Sequence, residues 1–562
     1  MTRIKALPVV VGVMMGAVGC NLAPHYEPPK VDTGAKFKEA VPGDPETDGW
    51  KPADPRDAAL RGNWWEVYQD PQLDELEQKV AISNQTVAAA LANYRAARAL
   101  VLEAQAGLYP TVDLDPSVTR SRSSASVSSL SGGAAGSTGG ASTTPGSASA
   151  ASGGSTVPRT IYSLPLEAVY QVDLWGSIRN SVAQNRYTAQ ASAAQLATAL
   201  LSTQSTLAQD YFQLRLADEQ RRVLEATLAD YRSSLHLVQT LYNNGLASDE
   251  DVAQAETQLE SAMAQATDIG VARAQYEHAI AVLIGVPPAR FSIAYRRFSQ
   301  ALPAIPVGLP ADLIERRPDI AAAERQVAAT NAAIGIARAA YFPSLTLNGS
   351  AGYESTTLSH LLDWPNRFWS FGPSLAQTLI DGGAHRAGTA QARALNDQAA
   401  ANYRQAVLGA LQSVEDNLAS LRILSQELEQ QHRAAAAAQR TVESSVVRFR
   451  NGVDSYVNVI TAQNAFLTAR EAELQVRLRQ LTASVNLVNN LGGGWSRDEW
   501  PHTGRTAEHP PPAVGEPEVP ADDAARGIPN PPPLPDGDIR PEDLLRQNAE
   551  AMAPAAGAGP AK

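Results

Sequence analysis

Gly176-Ser177-Ile178-Arg179 returns as Gly383-Ala384-His385-Arg386, and Tyr242-Asn243-Asn244-Gly245-Leu246-Ala247-Ser248 returns as Phe449-Arg450-Asn451-Gly452-Val453-Asp454-Ser455. Arg215 pairs in the same way with Arg422, and Ile284-Gly285 with Leu491-Gly492. The offset is 207 at both ends (383 − 176 and 492 − 285). A period this long is not a short solenoid repeat; it marks a duplicated half-molecule.

Proline placement says what each half contains. The chain holds 37 prolines, yet none lies between Pro165 and Pro287 or between Pro373 and Pro501. Shorter proline-free windows run from Gln72 to Tyr109 and from Asp319 to Phe342. All four are rich in Ala, Leu, Gln, Arg and Glu, which are good helix formers. The long windows break once each, at Asn243-Asn244-Gly245 and at Asn451-Gly452. Asn and Gly there supply a left-handed helix end. Ser248 with Asp251, and Ser455 in the second half, are expected to cap the returning helix. Gly176 to Asn244 spans roughly 100 Å as a helix, which is coiled-coil material rather than a compact core element.

The repeat continues upstream at another offset. Tyr109-Pro110 corresponds to Phe342-Pro343, Val87 to Ile320 and Ala90 to Ala323, an offset of 233. The difference (233 − 207) places a 26-residue insertion in the first half, between Pro110 and Gly176. The Ser/Gly/Ala-rich run from Ser123 to Ser155 fits it and reads as a flexible loop. The flanking segments alternate. Val112, Leu114 and Val118 alternate with Asp113, Asp115 and Thr119, and Leu164, Leu166, Ala168, Tyr170 and Val172 with Ser163, Glu167, Gln171 and Asp173. In the second half Leu345, Leu347, Ala351 and Tyr353 alternate with Ser344, Thr346, Asn348 and Ser350. Trp369, Phe371, Leu375 and Leu379 share one parity on the return. Four strands of about ten residues, apolar on one side, carry the transmembrane β-barrel signature. A soluble β-sandwich hairpin alternates in the same way. The aromatics favour the membrane: Tyr109, Trp175, Tyr341, Phe342, Trp364 and Phe368 cluster at strand ends, like an interfacial girdle.

The N-terminus points to export. Arg3 and Lys5 precede a short apolar run from Ala6 to Val18, too short to span as a mature helix. Ala17-Val18-Gly19-Cys20 follows, resembling a lipoprotein signal-peptidase box with Ala17 in place of the usual leucine. Cys20 is the single cysteine, so no intramolecular disulfide forms and the thiol is expected to carry lipid. The competing reading is an ordinary secretory signal with an incidental cysteine. Asn21 follows, rather than the aspartate associated with inner-membrane retention. The net charge of −12 argues against a nucleic-acid partner. No HExxH, P-loop or strand-borne GxSxG occurs, so no enzyme, metal or cofactor is expected. Asp249-Glu250-Asp251 sits at a helix start, where carboxylates favour the macrodipole.

Each half therefore reads short helix, strand, loop, strand, very long helix, return helix. Four strands cannot close a barrel, and an open edge in lipid leaves backbone groups unpaired. Several copies must contribute; a dimer gives eight strands and a trimer twelve, and the alternation does not choose between them. The expected fold class is mainly α with a membrane β-barrel contribution.

The residues also resemble TolC-like outer-membrane efflux proteins, in the lipoprotein (NodT) subgroup of outer-membrane factors serving resistance-nodulation-division pumps. The carrying motifs are Cys20-Asn21-Leu22-Ala23-Pro24-His25-Tyr26-Glu27-Pro28-Pro29, Trp64-Trp65-Glu66-Val67-Tyr68-Gln69-Asp70-Pro71-Gln72-Leu73 and Asp312-Leu313-Ile314-Glu315-Arg316-Arg317-Pro318-Asp319-Ile320. Phe342-Pro343, Asp381-Gly382-Gly383 and Leu491-Gly492-Gly493-Gly494-Trp495 complete them, covering about residues 20 to 495. The resemblance implies a homotrimer with a twelve-stranded barrel in outer-membrane lipid, continuous with a twelve-helix periplasmic tunnel. It also implies a periplasmic adaptor and an inner-membrane pump as partners.

On that resemblance the chain divides into nine parts. They are a signal peptide (1–19), an acylated extended segment (20–60), first short helices (61–110) and a first β-hairpin with its loop (111–175). A first helical hairpin (176–286), a linker and short helix (287–343), and a second β-hairpin (344–382) follow. A second helical hairpin (383–495) and a Pro-rich tail expected to be disordered (496–562) end the chain. Asn244, Gly245, Leu246, Ser248, Asn451, Gly452, Val453 and Ser455 are the implied adaptor-contact tips. The family's gate aspartate falls on Asp251, its aromatic partner on Phe449 and its arginine partner on Asp454, which has the wrong sign. The family's acidic lumen ring falls on the neutral Asn458 and Thr461, leaving apolar contact at Val457 as the alternative. The expected function is an exit duct for small toxic compounds. A type I protein-secretion channel and a structural helical-stalk lipoprotein are the alternatives.

Overall fold

The computed structural model describes residues 21–32, 37–39, 63–122, 158–298, 302–303 and 316–493. The signal peptide, Cys20, the Ser/Gly-rich loop and the Pro-rich tail lie outside the described residues.

A single 3-10 turn (Trp64–Tyr68) leads into α1 (Pro71–Ser83) and α2 (Gln85–Ala106). Strands β1 (Thr111–Leu114), β2 (Ser117–Ser121) and β3 (Arg159–Val172) follow, then α3 (Ser177–Asn243) and α4 (Asp249–Leu283). The second half holds α5 (Pro318–Ala339), β4 (Ser344–Ser355), β5 (Arg367–Ala376), α6 (Ala384–Arg450) and α7 (Tyr456–Asn490).

The duplication is kept residue for residue. Helices α3 and α6 each have 67 residues and begin 207 apart (384 − 177). Helices α4 and α7 each have 35 and begin 207 apart (456 − 249). Helices α2 and α5 each have 22 and begin 233 apart (318 − 85).

The sheet runs β1-β3-β4-β5, all antiparallel, with β2 also paired to β3. The register puts the apolar residues on one face: Leu166 lies opposite both Leu114 and Ala351, and Ala351 opposite Trp369. The other face pairs Glu167 with Ser350 and Ser350 with Ser370. The apolar face is uncovered; Trp369 is 78% exposed, and Val112, Phe371 and Leu375 are exposed as well. The first strand differs from the sequence expectation. It is broken at Asp115-Pro116 into β1 and β2, because Pro116 has no N–H to continue the ladder. The fourth strand ends at Ala376, short of Leu379. The girdle aromatics do sit at strand ends. Trp175 stacks on Phe342 at 4.6 Å, and its indole N–H donates to the Pro343 carbonyl at 2.8 Å.

The main core lies midway along the long helices. Trp64, Trp65, Tyr68, Leu73 and Val80 pack there against Leu207, Tyr211 and Phe212 of α3, Ile280 of α4, Val414 of α6 and Val485 of α7. Asp210 of α3 neighbours this core, and burial pushes its carboxyl up to about 6 from an ordinary 3.8. A carboxyl whose pKa is raised on folding weakens the fold as pH rises between those two values. Asp210→Asn is therefore expected to raise the melting temperature near pH ~8 and to leave it unchanged below pH ~4. Melting curves at the two pH values check this.

Candidate functional site

Each long helix ends in the same local structure, dictated by the same residues. At the first tip the Leu246 N–H donates to the Leu241 carbonyl at 2.8 Å and the Gly245 N–H to that of Tyr242 at 2.9 Å. At the second, the Val453 N–H donates to Arg448 at 3.0 Å and the Gly452 N–H to Phe449 at 2.9 Å. This paired closure needs a left-handed residue after the cap, and Gly245 and Gly452 have φ of +74° and +69°. Asn244 and Asn451 are the cap residues, and each side-chain amide donates back to a carbonyl of the last turn. Leu246 is 75% and Val453 66% exposed. Both tips thus end in a bare aliphatic side chain on a rigid turn.

The two return helices start differently. Ser248 and Asp251 form a reciprocal capping box, the Asp251 carboxylate accepting from the Ser248 N–H at 3.0 Å and from its hydroxyl at 2.7 Å. Ser455 holds the cap position of α7 but makes no side-chain cap bond, against the sequence expectation. Asp454 does the polar work instead. It accepts from the Ser455 N–H at 3.0 Å, from the Asn458 amide, and from Arg448 at 3.2 Å. Chiefly the Asn458 amide, then the Ser455 N–H and Arg448, hold its carboxyl below the usual aspartate range. Asp251 and Asp454 are therefore both engaged within their own hairpins. The Phe449 ring lies 5.2 Å from that of Tyr456, while Val457 is exposed. The Thr461 hydroxyl donates to the Val457 carbonyl at 2.8 Å.

The hairpins meet above the tips through Val238, Ala255, Tyr456 and Val459, with Phe449 packed against them. Of the sequence-derived gate residues, only Phe449 joins that contact. Gln258, Gln463 and Asn464, which also join the hairpins, carry no motif that singles them out.

At the equator a buried charge cluster went unread in the sequence. Asp218 accepts from Arg215 and from Arg273, each at 2.8 Å. Arg215 also donates to the Ala294 carbonyl and Arg273 to that of Ile293, so the linker after α4 is clamped to α3. The repeat mate of Arg215, Arg422, donates to Glu39 of the N-terminal segment at 2.6 Å. The duplication had marked both arginines; Ala294 and Gln72, which Arg215 also bonds, and Glu39 of Arg422 lie far away in sequence.

Two continuous helical hairpins, each carrying an amphipathic β-hairpin at the end opposite its tip, define a class of membrane duct. The family comparison agrees. Residues 76–286 and 309–493 match the model of the family described as "Outer membrane efflux protein", and the chain belongs to that family. It is an outer-membrane exit duct of an efflux system.

Among its relatives, the probable efflux pump outer membrane protein TtgC of Pseudomonas putida is 30% identical over 480 residues. That match covers 85% of this chain and 93% of the relative. The pyoverdine export outer membrane protein OpmQ of Pseudomonas aeruginosa is 31% identical over 443 residues, covering 79% and 89%. The solved structure of the outer-membrane channel OprN superimposes with a TM-score of 0.73 at 26% identity, covering 85% of this chain and all of that one. The Campylobacter jejuni CmeC outer membrane channel, at 21% identity, TM-score 0.75 and coverage of 85% and 96%, shares the fold.

Proposed function

We propose that three copies of this chain form one continuous conduit, a twelve-stranded barrel in the outer membrane joined to a twelve-helix periplasmic tunnel. In this reading it serves a tripartite pump of the resistance-nodulation-division type. The carrying observation is the sheet: an uncovered apolar face with an unpaired edge on each side, β1 and β2 at one and β5 at the other. In lipid each unpaired backbone group costs several kcal/mol, so the edges must find other copies. The bare Leu246 and Val453 tips, with Asn244, Gly245, Ser248, Asn451, Gly452 and Ser455 shaping them, are the contact points for a periplasmic adaptor. Relatives are named for toluene, antibiotic and pyoverdine export, which suits a small-molecule cargo selected by the pump.

The N-terminal segment supports an acyl anchor at Cys20. Its Tyr26 hydroxyl bonds Glu324, its Pro24 carbonyl accepts from Asn331 at 2.9 Å, and its Leu22 carbonyl accepts from Arg338 at 3.2 Å. The segment thus runs antiparallel to α5, with Leu22 beside the end of α5 that leads into β4.

Native mass spectrometry of the detergent-purified chain tests both statements. A trimer carrying diacylglycerol, lost in Cys20→Ser, is expected, together with ion conduction in planar bilayers. A dimer, or native protein without the lipid mass, would overturn the corresponding statement.

A further inference from the structure

The described hydrogen bonds and ion pairs of the acids nearest the tips do not join the two hairpins. Asp251 is consumed by Ser248, and Asp454 by Arg448 and Asn458, all inside their own hairpins. The side-chain hydrogen bonds described between the hairpins near the tips are uncharged. The Gln258 amide of α4 donates to the Asn464 carbonyl oxygen of α7 at 2.6 Å, and the Asn464 amide donates back to Gln258 at 3.4 Å. One residue before Asn464, Gln463 reaches across to the Ser234 hydroxyl of α3 at 3.3 Å. Gln258 and Asn464 lie 13 and 12 residues beyond their tip glycines (258 − 245 and 464 − 452), so both stand at one level of the tube.

The same seam is under-satisfied. The Gln463 side-chain oxygen, on a residue that reaches across to Ser234, is buried without a hydrogen-bond partner. A buried polar atom without a partner is costly, and parting the hairpins would give this one water. The contact therefore carries a polar cost that parting the hairpins would relieve.

We propose that the reciprocal Gln258–Asn464 amide pair is an uncharged latch that sets the aperture of the tunnel mouth, opposed by the unsatisfied Gln463 oxygen beside it. This rests on the duct reading above. An opening partner then has to exchange amide–amide bonds for amide–water bonds and separates no ion pair. The pair is exposed to solvent and its second bond is long, so losing it should move the closed–open ratio several-fold toward open.

Full-length protein in planar bilayers tests this. Asn464→Ala and Gln258→Ala are expected to raise conductance several-fold over the native chain, while Asp251→Ala changes it little. In Gln258→Cys/Asn464→Cys, a short bis-maleimide should hold conductance at or below the native level, and the same protein without cross-linker should behave like the alanine variants. If the native trimer conducts and Asn464→Ala conducts equally, the latch is refuted while the duct stands. An Asp251→Ala effect larger than either amide variant also refutes it. Absence of current from every folded trimer would overturn the duct reading and the latch together.

Discussion

Asp218→Ala is expected to cost about 3–5 kcal/mol of stability and to lower the melting temperature of the detergent-solubilised protein sharply. Asp218 is the anion for two cations. Its side chain is 2% exposed, and those of Arg215 and Arg273 are 1% and 9% exposed. Removing the carboxylate leaves the buried Arg215 without its anion and Arg273 with Glu277 alone, and neither guanidinium can lose its proton. The cluster also holds chain segments together. Asp70, the cap of α1, accepts from Tyr211 at 2.6 Å and from Arg296 at 3.2 Å, and the ring of Tyr295 lies 3.9 Å beneath the Arg273 guanidinium. Loss of Asp218 should therefore release the linker at 291–298 together with the end of α4. Glu225→Ala is the matched control. Its ion pair with Arg221 is exposed on both sides, and such pairs contribute about 1 kcal/mol or less. Equal melting temperatures for the two variants would show that the cluster is not a clamp.

The contrast between those two pairs marks what the sequence can carry. Arg215 with Asp218 and Arg221 with Glu225 look alike as text: opposite charges three or four residues apart on a helix. Burial separates them, and burial comes from segments 79 and 143 residues away in Ala294 and Gln72. What local pattern fixes was legible: helix lengths from proline-free windows, tip turns from Asn-Gly, sheet faces from alternation. The duplication multiplied that signal, because every feature had a second copy to check it. What was not legible breaks the repeat. Asp454 replaces Ser455 as the polar anchor at the start of α7, and the first tip has Ala247 at that position. Gln258 and Asn464 are offset by 206, one residue out of register with the duplication, so no comparison of the halves pairs them.

Gly492→Ala is expected to be as damaging as the loss of Asp218, for a reason the repeat states twice. Gly492 has φ of +98°, and a Cβ there would stand 2.0 Å from the Arg316 carbonyl oxygen. Its mate Gly285 has φ of +71°, and a Cβ there would stand 2.3 Å from the Ser83 carbonyl oxygen. The glycines are 207 apart and their partners 233 apart (316 − 83), so both offsets of the duplication meet in one contact. In each half the end of the return helix closes against backbone at a short-helix terminus, and backbone cannot rotate aside as a side chain can. A left-handed alanine alone costs about 1–2 kcal/mol. Displacing a packed carbonyl should take the total beyond about 4 kcal/mol, with loss of assembled protein on native gels. Gly452→Ala separates the two causes. Its φ is +69°, but nothing lies within 4 Å of the added Cβ. It should bear the conformational cost alone and melt within a few degrees of the native chain. Similar melting of Gly452→Ala and Gly492→Ala would mean that conformation alone selects glycine at both sites. A large gap would mean that close backbone approach is what the duplicated halves have retained at the equator, while the tips have kept only the turn.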